Sequence, residues 1–124
     1  MKLNFSNDKS IYLQIAESIE DDILSGAIEE ETQIPSTNQM AVIFAINPAT
    51  AGKGINILTD EGIVYKKRGI GMFVAQGALN RIIVKRRNGF YENFIVKLID
   101  EARNIGLSRE ELIEMINTGG NTHE

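Results

Sequence analysis

Hydrophobic periodicity changes at Gly62, and that change limits the folds open to the chain. Before Gly62, apolar residues recur at helical spacing; after it come two short runs of β-branched and aromatic residues. In "SIYLQIAESIEDDILSG" Ile11, Ile15, Ile19 and Ile23 recur every fourth residue, with Tyr12, Ala16 and Leu24 widening the stripe. Ser10 is placed to cap this helix, and Gly26 to end it in the left-handed conformation. "AIEEETQIP" reads as a polar connection. "PSTNQMAVIFAI" is a short second helix with Ser36 as N-cap and Met40, Ala41 and Phe44 on one face, interrupted by Asn47. Beyond Gly62, "IVYKKRGIGMFVA" has the composition of a hairpin with a glycine-bearing tip.

Between these lies "NPATAGKGINILTDEG", Asn47 to Gly62, which reads as loop, linker or helix. A phosphate loop would need Ser or Thr after Lys53 and a strand ahead of it; Gly54 follows Lys53, and a helix precedes. A flexible linker is excluded because Ala51, Gly54, Ile55 and Leu58 keep helical spacing through the glycines. Asn47 as N-cap and Pro48 at the first helical position are start signals. Each interior glycine costs about 1 kcal/mol relative to alanine. A good N-cap returns about 1 kcal/mol, and burying Ile55 and Leu58 contributes roughly 1.5–3 kcal/mol each. The segment is therefore a helix held by packing. Gly54 falls on the buried stripe, where a missing side chain lets the second helix come close. Gly52 falls on the open face with Ala49, Thr50, Lys53 and Asn56. That face suits the DNA major groove, and it equally suits a solvated surface that happens to be small and polar.

Three helices and a hairpin within about 75 residues follow the order of a winged helix-turn-helix domain. The fold class expected is mainly α with a small β-hairpin, over 1–75, followed by a helical tail over 76–124. "QGALNRIIVKRRNGFYENFIVKLIDEARNIG" is mainly helical, with Phe94, Leu98, Ala102 and Ile105 on one face and Gly106 at its end. "LSREELIEMI" is a last short helix with Ser108 and Glu111 spaced as a capping box, and "NTGGNTHE" is expected to fray.

Net charge is −4 for 124 residues, and its distribution says more than its total. Residues 1–34 are strongly acidic. Residues 63–90 hold Lys66, Lys67, Arg68, Arg81, Lys85, Arg86 and Arg87 with no acid. Lys66, Lys67 and Arg68 at a hairpin tip would set cations beside phosphates, with Gly69 allowing close backbone approach; a charged edge strand that resists aggregation is the alternative, and the helix-turn-helix beside the hairpin favours DNA. The segment Arg81 to Arg87 extends the basic footprint or is a solvated helix face. The chain has no cysteine, no apolar run long enough to span a bilayer, and no His beside a Ser nucleophile. His123 lies in a polar tail, and the acidic groups have no His or Cys near them. No enzyme activity, cofactor or metal is expected, and the chain reads as cytoplasmic with no membrane partner.

In this order, "IYLQIAESIEDDILSGAI", "IPSTNQMA", "NPATAGKGINILTDEGIV" and "KKRGIGMFV" resemble the DNA-binding domain of GntR-type bacterial transcription regulators. The resemblance covers about residues 10–75. It rests on Pro35-Ser36, Asn47-Pro48-x-Thr50, Glu61-Gly62-Ile63 and Arg68-Gly69-x-Gly71. "VKLIDEARNIGLSREELIEMI" is similar to the two-helix tail of the YtrA-like subfamily, which serves dimerisation. A two-helix tail cannot bury its apolar stripe alone, so pairing with a second copy is also physically reasonable.

The resemblance implies a homodimeric, sequence-specific DNA-binding regulator, a repressor acting on an inverted repeat of double-stranded DNA. Its DNA contacts would come from Ser36, Asn38, Asn47, Ala49, Thr50, Gly52, Lys53, Lys66, Lys67, Arg68 and Gly69. Its dimer contacts would come from Phe90, Phe94, Leu98, Ala102, Ile105, Leu112 and Ile113. The family usually has Arg where this chain has Asn38, often Arg or a polar residue where it has Gly52, and Pro-Gly-Asp where it has Glu30-Glu31-Thr32. These departures motivate a second reading, a winged-helix interaction or architectural module without sequence-specific regulation.

Overall fold

The structure, a computed structural model, describes Leu3 and residues 9–122. Its elements are α1 (Ile11–Ser25), α2 (Thr37–Phe44), α3 (Pro48–Asp60), β1 (Val64–Lys67), β2 (Gly71–Val74), α4 (Ala78–Phe90), a π turn (Tyr91–Ile95), α5 (Val96–Asn104) and α6 (Arg109–Thr122). The described chain divides into two compact units, Met1–Val84 and Lys85–Glu124, with the division inside α4.

In the first unit the isoleucine stripe of α1 meets the apolar faces of α2 and α3. Ile15, Ile19, Ile23, Met40, Ala41, Ala51, Ile55 and Leu58 are buried, and Ile63, Val64, Val74 and Ile82 close the cluster from the hairpin side. α1 ends as expected, with Gly26 at φ +84. Its start differs. Among the described residues Ser10 makes no side-chain capping bond, and its buried Oγ finds no hydrogen-bond partner. The Gln14 side chain instead donates to the Lys9 carbonyl at 2.9 Å, which ties the residues ahead of the helix.

α2 opens on a complete capping box. Ser36 Oγ accepts from Gln39 N at 3.1 Å, and Gln39 Oε1 accepts from Ser36 N at 2.8 Å. The helix closes at Phe44, before Asn47, because Ala45 takes the left-handed conformation at φ +54. Asn47 then serves the next helix alone, its Oδ1 accepting from Ala49 N at 2.8 Å, with Pro48 at the first helical position.

Ala51, Gly54, Ile55 and Leu58 are the buried residues of α3. The neighbour of Gly54 is α1 and not α2. A Cβ there would stand 2.8 Å from the Tyr12 carbonyl oxygen and 3.1 Å from Ile15 Cβ. The stripe alone could not choose between two helices that both pack on α3.

β1 and β2 pair antiparallel, Val64 with Val74 through Lys67 with Gly71. The turn closes through Ile70 N to the Lys67 carbonyl at 2.9 Å, with Gly69 at φ +79 supplying the positive angle of a type II turn. The connection over residues 27–35 does more than link. Glu31 N donates to the Val74 carbonyl, Val74 N to Thr32, and Ile34 N to Met72, each at 2.8–2.9 Å. It lies along β2 as a third extended segment, with Gln33 bridged to Phe73.

In the second unit α5 ends at Asn104 with Ile105 as its C-cap, followed by Gly106 at φ +75. Ser108 and Glu111 form the expected capping box, both bonds at 3.1 Å. α6 continues through Thr122, so Asn117 to Thr122 are helical where fraying is expected, while His123 and Glu124 lie outside the described residues.

Candidate nucleic-acid interface

Three elements of the first unit converge on one region, each for a local reason. The Thr37 side chain at the start of α2 sits by Gly52 of α3, where an added Cβ would lie 3.5 Å from Thr37 Cγ2. The segment entering α2 is bonded to the wing, Gln33 Nε2 donating to the Ile70 carbonyl at 3.1 Å. The start of α2 is thereby fixed beside both α3 and the hairpin turn.

On α3, Asn47, Ala49, Lys53 and Asn56 are exposed, and Thr50 and Gly52 are half-buried. Asn47 spends its side-chain oxygen on the cap, and Ser36 does the same on α2, where Asn38 is exposed. Both remain at helix starts, where polar side chains and main-chain N–H groups suit anions. Lys53 extends over the Tyr12 ring, its Nζ 4.6 Å from the centroid.

The three wing cations do not form one patch. Side chains alternate across a strand, so Lys66 shares the face of buried Val64, and Lys67 shares the face of Tyr65. Lys67 Nζ lies 4.1 Å from the Phe73 centroid and 5.9 Å from that of Tyr65. It covers an aromatic pair whose centroids are 6.2 Å apart. Arg68 and Gly69 stand exposed in the turn. The Tyr65 hydroxyl donates to Glu31 Oε2 at 2.8 Å, and this bond to a carboxylate raises the phenol's pKa.

The basic run beyond the wing is also divided. Arg81 donates to the Gly62 carbonyl at 2.5 Å and so ties α4 to the end of α3. Nearby, Glu30 accepts from Gly77 N at 2.9 Å and Leu79 N at 3.0 Å, capping α4 with a carboxylate. Those two backbone bonds hold its pKa below the ordinary value. Tyr12, Gln33 and Glu30 were not legible as parts of this region, nor was the tie of Arg81 to Gly62, since their partners are distant in sequence. Gln39 was legible, three residues after a capping serine.

In the second unit Phe90, Phe94, Leu98, Ile105 and Ile113 are exposed, and Leu112 is half-buried. Ala102, the remaining residue of the expected dimer set, is 4% exposed in the single chain. A cavity of about 330 Å³ runs along α5 and α6, lined by Leu98, Ile99, Leu112, Ile113 and Ile116 among others. Among the described residues, no helix is long and apolar enough to cross a membrane.

Comparison with known proteins places this geometry. Residues 11–74 match the family model described as bacterial regulatory proteins, gntR family. The chain is 29% identical over 106 residues to the HTH-type transcriptional repressor YtrA of Bacillus subtilis, spanning 86% of this chain and 81% of that protein. A crystal structure of a transcriptional regulator of the GntR family from Bacteroides thetaiotaomicron is 36% identical. It covers 93% of this chain and all of its own, with a TM-score of 0.73. BusR of S. agalactiae, solved in complex with its busAB-promoter DNA, is 25% identical. That match covers 92% of this chain and 55% of BusR, with a TM-score of 0.60.

Proposed function

Because the chain belongs to the gntR family of bacterial regulatory proteins, we propose that it is a cytoplasmic repressor that binds an inverted-repeat operator as a homodimer. Residues 1–75 carry DNA recognition in this reading, and residues 76–124 carry dimerisation. One observation supports it above the rest. α3 has its buried face fully committed to α1 and the core, while Ala49, Thr50, Gly52, Lys53 and Asn56 are left for a ligand. The start of α2 lies by Gly52 of that face, and the segment entering α2 is bonded to the wing turn. YtrA is named a repressor and BusR was solved on promoter DNA, which supports the same assignment here.

Thr50 and Lys53 are the groove-facing contacts in this reading, Ser36 and Asn38 hold phosphate at the start of α2, and Arg68 with Gly69 places the wing. Lys66 adds charge, and Lys67 serves the hairpin's aromatic pair. Two copies related by a two-fold axis would read two half-sites, hence an inverted repeat. Footprinting on the DNA upstream of its own gene tests this. A protected palindrome, lost in Lys53→Ala/Arg68→Ala and weakened by salt, is expected. Salt-insensitive or absent binding to every upstream palindrome would overturn it, in favour of an interaction module that has lost DNA reading.

A further inference from the structure

Lys53 and Gly54 are consecutive in α3, and both act on one residue of α1. Gly54 lets the Tyr12 main chain come close, since a Cβ there would stand 2.8 Å from the Tyr12 carbonyl oxygen. One residue earlier, Lys53 lays its ammonium 4.6 Å from the centroid of the Tyr12 ring. Among the described residues no carboxylate pairs with Lys53. Lys9, by contrast, is held by Glu17 at 2.8 Å.

The difference matters for a cation meant to meet phosphate. A carboxylate that fixes a lysine also cancels its charge. A ring face orients the ammonium through its quadrupole and leaves the full positive charge in place. A free lysine side chain would lose rotamer freedom on binding DNA; one already held loses less. We propose that Tyr12 is a positioning residue for DNA recognition, its ring holding Lys53 pre-oriented and un-neutralised on the open face of α3. This rests on the reading that the open face of α3 meets DNA.

The test is a double-mutant cycle on operator DNA across a salt series, with folding followed by thermal unfolding. Lys53→Ala should weaken binding on the order of tenfold and flatten the salt slope by about one. Tyr12→Leu should weaken it about two- to fivefold. In the Lys53→Ala background, Tyr12→Leu should change affinity less than about twofold, because the two act as one unit. Tyr12→Phe, which keeps the ring face, should restore wild-type binding. The Tyr12 contact with Gly54 is made by main chain, so both substitutions leave it in place.

A Tyr12→Leu effect that persists undiminished in the Lys53→Ala background, or a Phe variant as weak as Leu, overturns the positioning role alone. Lys53→Ala binding like wild type, with an unchanged salt slope, overturns the α3 reading and this inference with it. Should Tyr12→Leu fail to fold, proton NMR of the wild-type chain decides. Ring-current shielding should move the Lys53 ε-methylene protons upfield of those of Lys66, as the Phe73 ring should those of Lys67, and an unshifted Lys53 position overturns the proposal.

Discussion

In the first unit the apolar side chains of three helices and a hairpin close over one another; in the second they are largely left in the open. Ile15, Ile19, Met40 and Leu58 have no exposed surface, whereas Phe94, Ile105 and Ile116 are each more than 60% exposed. The first unit has its uncovered aliphatics too, Val42 and Ile43 on α2, but they flank a finished core. In the second, Ala102 is the one buried hydrophobic among the described residues. A large exposed apolar surface on a helix pair is an incomplete core. The contrast separates a unit with a closed core from one whose exposed apolar face, in the function proposed above, pairs with another copy of the chain.

Four experiments press on that contrast, and the largest effect is expected from the open face. Leu98→Glu with Ile113→Glu should halve the mass seen by light scattering. It should also cut operator affinity about a hundredfold or more, as two linked half-site contacts become independent. A variant that stays dimeric would show that another face pairs the chains.

Glycine-to-alanine exchanges come next, because the two units should answer them with opposite sign. In Gly54→Ala the new methyl meets Tyr12 main chain at 2.8 Å. Overpacking of about 1–3 kcal/mol should exceed the gain in helix propensity of about 1 kcal/mol and lower the unfolding temperature. Gly119 of α6 has nothing within 4 Å of its would-be Cβ. Gly119→Ala should therefore raise stability, by up to about 1 kcal/mol. Equal signs in calorimetry would break the distinction.

Gly52→Arg supplies a cation where the family often has one, and its Cβ would make only ordinary contact with Thr37 at 3.5 Å. Operator binding should tighten several-fold, roughly, and steepen in salt by about one. Unaltered or weaker binding would move the DNA-facing surface off this side of α3.

The smallest effect belongs to Glu30→Gln, which weakens the carboxylate cap on α4. Because the folded-state pKa lies below the ordinary one, the carboxylate's contribution is complete above the unfolded value of about 4.3. It fades as pH falls through the lower folded value. Wild type and variant should therefore differ slightly in unfolding temperature at neutral pH and converge in acid. A gap that widens in acid would contradict the cap.

Legibility in the sequence followed the range of the forces involved. Helix α3 could be read in full because its cap, its first-turn proline and its stripe all lie within 13 residues. The hairpin was legible from composition and the glycine at its tip. What escaped was set by the chain's return on itself: Gly54 finds Tyr12 across more than 40 residues, and Glu30 finds Gly77 across 47. The basic trio was legible as charge, but register sends Lys66 and Lys67 to opposite faces. Periodicity located Ala102 on the tail's apolar face but could not show that it is buried in the single chain. The π turn at Tyr91–Ile95 left no mark that periodicity could catch.

Glu31 carries φ +67, a left-handed conformation that costs an ordinary side chain roughly 1–2 kcal/mol and glycine almost nothing. It stands in the linker where related chains often carry Pro-Gly-Asp, and its carboxylate is taken by the Tyr65 hydroxyl. The two positions are therefore coupled through one hydrogen bond. Glycine at 31 relaxes the backbone but strands the phenol, while phenylalanine at 65 removes the reason to tolerate the strain. The energetic effect of changing either residue therefore depends on the identity of the other.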